Sequence, residues 1–243
     1  HLSRACLSNG LEGHAAPSEP TVREADRMAS PRACLFDLDG LLLDTEPCHG
    51  QAWRQASSHF GVRLSDEQLL RLRGRRRADC VAQVRAWIKA AGQPLPTPEE
   101  LLAVQQPIAR RLLPGAAAMP GARELVGRCM DLCLPMAMVT SSASESVALK
   151  VAPHAWLAAI ELRVLGDDPE LRAGKPEPEP FLLAAERLGV PADACWVFED
   201  SPAGATAAVA AGCRVYVLLA PAIPVSAYPP VVTIVRSLRE VRL

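Results

Sequence analysis

From residue 122 onward the chain repeats one pattern, a helical stretch followed by a short apolar run. Helices are predicted over Ala122–Leu132, Glu145–Val151, Pro178–Leu188 and Ala203–Ala211. They precede the runs Pro135–Val139, Ile160–Leu165, Cys195–Phe198 and Arg214–Leu219. The runs are apolar throughout rather than alternating, so each strand must be covered on both faces. That points to an α/β fold, a Rossmann-like parallel sheet core with helices on both faces. Ala33–Leu38 supplies a first strand of the same kind, and Val231–Leu243 is expected to add an edge strand and a short helix.

Between Glu46 and Gly115 the pattern stops. This stretch reads as helices over Gln51–Phe60, Asp66–Leu72, Ala78–Ala90 and Glu99–Leu113, with no strand. Thr97 is a candidate N-cap and Pro98 suits the first helical position. The expected organisation is a core of residues 31–45 and 116–243, interrupted by an inserted all-helical cap, 46–115. Residues 1–30 mix Gly, Pro, Ser and charges without an apolar period or a signal-peptide core. They are expected to be a disordered extension, the working chain beginning near Met28.

In open α/β sheets, sites form beyond the carboxyl ends of the strands. The first strand runs into Asp37-Leu38-Asp39-Gly40, whose two carboxylates are two residues apart and can face one pocket, with Gly40 permitting a sharp turn. The second ends in Thr140-Ser141-Ser142. Lys175 follows the third, and the fourth ends in Glu199-Asp200. Four carboxylates facing one lysine would raise one another's pKa values, and a hard divalent cation would relieve them. Carboxylates, a lysine, hydroxyls and Mg²⁺ together suit phosphoryl transfer. Each piece alone has a plainer reading: turn, N-cap, solvated loop or helix start. Their joint occurrence, in order, at four strand ends argues for one shared site.

The run from Asp37 to Glu46, with Thr140, Lys175 and Glu199-Asp200, resembles the four motifs of the haloacid dehalogenase-like hydrolases, over about Ala33 to Leu219. The resemblance implies Asp37 as nucleophile and Asp39 as general acid/base. It implies Mg²⁺ held by Asp37, the carbonyl of Asp39 and Asp200, with Glu199 close by. Thr140 and the Ser141 backbone N–H would bind the phosphoryl group, and Lys175 would neutralise it. Family dehalogenases lack the second aspartate, so Asp39 points to phosphate esters.

The basic stretch Leu72–Cys80 contains Arg73, Arg75, Arg76 and Arg77. Arg77 stands where β-phosphoglucomutase-like members carry a substrate-binding Arg, and His49 where sugar-phosphate mutases carry a hinge His. Against a mutase, Leu165–Glu170 leading into Gly174-Lys175-Pro176 resembles the phosphatase branch, which includes pseudouridine-5′-phosphatase and glycerol-3-phosphatase relatives. The expected function is a Mg²⁺-dependent phosphatase acting on a small phosphorylated metabolite, a sugar, polyol or nucleoside phosphate, through an aspartyl phosphate. The alternatives are a β-phosphoglucomutase and a non-catalytic binding protein on the same fold.

Composition narrows the setting. Lys and Arg number 26 against 27 Asp and Glu, which gives no whole-chain attraction to nucleic acid. No apolar run approaches a membrane span. The eight cysteines lack C-x-x-C spacing, so they read as reduced core residues of a cytoplasmic protein, Cys48 alone being placed to line a site. A monomer is expected. The Pro-rich stretch Pro221–Pro230 carries no functional reading.

Overall fold

The strand nearest the amino terminus, β1 (Ala33–Phe36), is fully buried and lies at the centre of a sheet. In this computed structural model, which describes residues 30–72, 77–221 and 223–243, it pairs on one side with β4 (Met136–Val139) and on the other with β6 (Cys195–Glu199). Beyond β4 lies β5 (Leu162–Val164); beyond β6 lie β7 (Arg214–Leu218) and β8 (Thr233–Val235). All are parallel, in the order β5-β4-β1-β6-β7-β8.

The apolar runs fill both faces, as their lack of alternation requires. On one side Cys34, Phe36, Met138 and Phe198 pack beneath α5 (Ala122–Asp131) and α6 (Ser144–Val151). Phe36 stacks on Phe198 at 5.1 Å, and Phe198 on Tyr216 at 5.6 Å. On the other, Leu35, Val139 and Val197 meet α7 (Glu179–Leu188) and α8 (Pro202–Ala210).

A two-stranded antiparallel ribbon, β2 (Leu43–Asp44) with β3 (Ala117–Ala118), marks where the chain leaves the sheet and returns. Strands this short leave no period to read in sequence. Between them lie α1 (Glu46–His59), α2 (Asp66–Leu72), α3 (Arg77–Ala90) and α4 (Pro98–Leu112), around their own cluster of Trp53, Leu64, Val84, Ile88 and Leu101. Thr97 caps α4 through a reciprocal pair with Glu100, as its spacing predicts. Helix α1 starts at Glu46, five residues before the predicted Gln51. Pro47 in its first turn lacks only an amide that would have no helical partner there. Residues 1–29, 73–76 and 222 lie outside the described residues, and with them the expected extension and Arg73, Arg75 and Arg76. Among the described residues no helix is long and apolar enough to cross a membrane.

Candidate active site

The turn after β1 builds the centre of the site. Leu38, Leu41, Leu42 and Leu43 are fully buried, and the amides of Leu42 and Leu43 donate to the Leu38 carbonyl. This anchors the loop and leaves its aspartates on the open side. Gly40 sits at φ +87°, and a Cβ there would lie 2.1 Å from Asp200 Oδ2. The residue therefore contributes by having no side chain; it does not line the main cavity.

Asp37, Glu199 and Asp200 converge, each buried, with ligand oxygens within 4.8 Å of one another. Lys175 Nζ ties the group together, donating to Asp37 Oδ1 at 2.6 Å, Glu199 Oε1 at 2.5 Å and the Val139 carbonyl at 2.9 Å. The second oxygen of Glu199 accepts from the amides of Asp200 and Ser201 and from the Ser201 hydroxyl. Glu199 is thus committed to holding the loop. Gly204 lets helix α8 start against it, since a Cβ there would lie 1.9 Å from Glu199 Oε1. Among the described residues no hydrogen bond to the Asp200 carboxylate is present. Burial, then the charges of Asp37 and Glu199, push its pKa well up. Burial likewise pushes Asp37 up to about 7, although Lys175 opposes the shift. Hard oxygen donors, crowded and only partly neutralised, fit a divalent cation such as Mg²⁺.

Asp39 departs from the expected four-carboxylate cluster. Its carboxylate stands outside the triplet, and a second lysine serves it. Lys150 Nζ, on α6, donates to Asp39 Oδ1 and Oδ2, both at 2.7 Å, and to Ser142 Oγ at 2.8 Å. Ser142 Oγ donates to Asp39 Oδ2 at 2.8 Å, and Thr45 Oγ1 to Oδ1 at 2.9 Å. Burial opposes the Asp39 charge, but the Lys150 ammonium outweighs it and holds the carboxyl below its usual range. The expected balance of four acids against one lysine therefore becomes two separate groups, each with its own lysine. Sequence reasoning missed Lys150. Its signal is position: it shares the inward face of α6 with Val147, three residues before it.

A cavity of about 910 Å³ opens over both groups, between sheet and helical insertion. Asp37, Asp39, Thr140, Ser141, Lys175 and Asp200 form its core-side wall. Thr140 is buried, accepts from the Ser142 amide, and approaches Asp39 Oδ2 at 3.4 Å. His49 and Arg77 line the opposite wall, as does Gln105, a buried residue sequence reasoning did not single out. Burial first, then Lys150 and Arg77, hold the pKa of His49 down; Asp39 pulls the other way. Arg110 of α4 reaches Glu145 of α6 at 3.1 Å across the cleft. Cys48 does not line the cavity; its Sγ donates to the Leu112 carbonyl, joining the two ends of the insertion.

The stretch after β5 has a supporting part. Asp167 accepts from the amide and hydroxyl of Ser144 at the start of α6, and Asp168 pairs with Arg187 of α7. Tyr228, in the Pro-rich stretch, donates its hydroxyl to the Asp200 carbonyl at 2.6 Å.

Residues 31–212 match the family described as haloacid dehalogenase-like hydrolase, and the chain belongs to that family. Several relatives are phosphatases by name. The chain is 34% identical to hexitol phosphatase A of Escherichia coli, over 77% of this chain and 83% of that protein. It is 30% identical to (DL)-glycerol-3-phosphatase 2 of Arabidopsis thaliana, over 86% and 88%. It is 36% identical to a Drosophila melanogaster protein named "Probable pseudouridine-5'-phosphatase", over 75% and 79%. Among solved structures, β-phosphoglucomutase from Clostridium difficile shares the fold at TM-score 0.68 and 20% identity, over 87% of this chain and 93% of that one.

Proposed function

We propose that this chain is a Mg²⁺-dependent phosphatase of small phosphorylated sugars or polyols, working through a phosphorylated Asp37. The observation that carries this reading is the pairing of a buried, lysine-bound Asp37 with a second, separately held aspartate under one cavity. The named activities of the relatives support it. The helices of residues 46–115 act as the cap that covers a bound ester and selects it.

In this reading the residues take the following roles. Lys175 and Thr140 hold the phosphoryl oxygens, with the Ser141 N–H. An Asp37 oxygen bonds to phosphorus as the bond to the ester oxygen breaks; Asp39, which must first take up a proton against the pull of Lys150, gives it to that oxygen. A water then attacks phosphorus, Asp39 takes its proton, and the Asp37–phosphorus bond breaks to release phosphate. Asp37 and Asp200, with Glu199 beside them and the Asp39 carbonyl, would hold the Mg²⁺. When bound, it supplies positive charge to offset that gathering on the phosphoryl group. His49 and Arg77 on the cavity wall contact the rest of the substrate.

A panel of small phosphomonoesters with Mg²⁺ tests the reading by released phosphate. Labelled phosphate should remain acid-stable on the wild-type chain and be absent from Asp37→Asn. No release from any ester would sink it. The positions of His49 and Arg77 also favour a second reading, a β-phosphoglucomutase. That reading requires glucose 6-phosphate from β-glucose 1-phosphate in the presence of a bisphosphate primer.

A further inference from the structure

Helix α4 turns Leu101, Gln105 and Ala109 inward, four residues apart, so the three form one stripe. Leu101 packs into the insertion's own core, whereas Ala109 lines the cavity. Gln105 stands between them, 4% exposed, and is the first residue of the stripe to reach the cavity. An aliphatic side chain would suit such a stripe. A buried carboxamide costs free energy unless its N–H and C=O groups find partners. Among the described residues Ser57 is the other buried polar side chain of the insertion, and it donates to the Arg54 carbonyl. Among the same residues no hydrogen bond to the Gln105 amide is present.

The surroundings narrow what such an amide can hold. The other buried residues that line the cavity from the insertion are apolar: Trp53, Leu72, Cys80, Ala109 and Leu113. Of the arginines lining it, Arg54 is paired with Asp66 and Arg110 with Glu145. A second phosphate or a carboxylate is matched by groups that only donate. A carboxamide donates and accepts, which matches an uncharged hydroxyl: the hydroxyl oxygen accepts from the N–H and its O–H donates to the C=O. A hydroxyl that exchanges there for water keeps both hydrogen bonds, and a methylene in its place loses them.

We infer that Gln105 is a specificity-determining residue, which holds a hydroxyl on the carbon chain of the substrate and so favours polyhydroxylated phosphomonoesters over alkyl ones of equal length. The inference rests on the reading of the chain as a phosphatase whose helical insertion covers the ester. It adds to that reading the residue that distinguishes the leaving group by its hydroxyls.

The test compares the full chain with Gln105→Met, whose unbranched side chain keeps the length and removes both hydrogen-bonding groups. Each is given whichever of glycerol 3-phosphate and glucitol 6-phosphate the wild type turns over faster. Each is also given the alkyl phosphate of the same carbon number, n-propyl or n-hexyl phosphate, or p-nitrophenyl phosphate where the alkyl ester is not hydrolysed. The loss in kcat/KM with the hydroxylated ester should exceed the loss with the hydroxyl-free ester by about 10-fold, the scale of one or two hydrogen bonds between uncharged groups. A disturbance of the insertion or of the phosphate site lowers both alike and cancels in that ratio. Tm should not fall, because the amide bonds to nothing in the chain. If Gln105→Met does not fold, the same ratio is read on Gln105→Asn, whose shorter arm draws the amide back from the cavity. Equal losses on both esters would overturn the inference, and with a lower Tm would leave Gln105 a structural residue. A wild type that hydrolyses a hydroxyl-free ester and neither hydroxylated one overturns the inference alone. A wild type that hydrolyses none of these esters overturns the phosphatase reading itself, and this inference with it.

Discussion

Two aspartates two residues apart have been given opposite surroundings. Asp37 is buried among other acids, and its carboxyl is pushed up to about 7; Asp39 is bridged by Lys150 and held below its usual range. The contrast is the reverse of an ionised nucleophile beside a protonated acid: the proton is favoured on Asp37 and the charge on Asp39, so a cation among Asp37, Glu199 and Asp200 would be what ionises the nucleophile. Asp37→Asn should lower phosphate release on the order of 10⁴-fold or more, the scale on which nucleophiles contribute, measured as kcat on the best ester. Gly40→Ala tests the close approach to Asp200. With φ at +87° and a Cβ 2.1 Å from Oδ2, the variant should lose about 1–3 kcal/mol and bind Mg²⁺ more weakly. Thermal melting and calorimetric titration read the two effects, and unchanged Mg²⁺ affinity would detach Gly40 from the metal group.

At the level of elements, the loops after β1, β4, β5 and β6 supply the site residues, and neighbouring elements pin them in place. Asp167 beyond β5 holds the start of α6, and Tyr228 beyond β7 holds the Asp200 carbonyl. Tyr228→Phe deletes one buried hydrogen bond, so it should cost about 1 kcal/mol in chemical denaturation and weaken Mg²⁺ binding through a less constrained Asp200. The helical insertion has its own core, and its caps act locally. Thr97→Ala removes half of a capping box and should lower Tm by about 2–4 °C, with kcat unaltered because α4 is capped at the end remote from the Arg110 contact. A change in kcat would mean that the cap end of α4 is coupled to the cleft.

For the whole molecule the acidic group links stability to pH and to metal. A carboxyl that binds its proton more tightly folded than unfolded adds stability that is complete below about pH 4. For Asp37 that stability is lost as pH rises through about 7, and Asp200 acts in the same direction. Asp39, whose pKa is lowered, has its own change below about pH 4 and is silent above it. In a chelator, Tm should therefore fall between about pH 5 and 8. Saturating Mg²⁺ should raise Tm more at the upper end, where the carboxyls are ionised and a cation replaces the protons. Asp37→Asn should flatten the slope, and a slope equal to wild type would assign it to other groups.

The sequence by itself determined the parallel sheet, because its strands are apolar runs and an apolar run can be buried only if covered on both sides. It also determined which residues stand at the strand ends, since Asp37, Thr140 and Glu199-Asp200 each lie within or just beyond such a run, and Lys175 follows the Ile160–Leu165 run by ten residues. Tertiary structure decided how those residues divide. Asp39 leaves the acidic group for Lys150, 111 residues away, and Tyr228 reaches Asp200 from a stretch with no motif of its own. Neither can be read locally: a lysine in Val147–Val151 or a tyrosine between prolines acquires meaning only from the charge or carbonyl that folding brings against it. Periodicity records what each segment must bury. Partnership between distant polar groups is set by packing, where an uncompensated charge costs most and its neighbours decide its state.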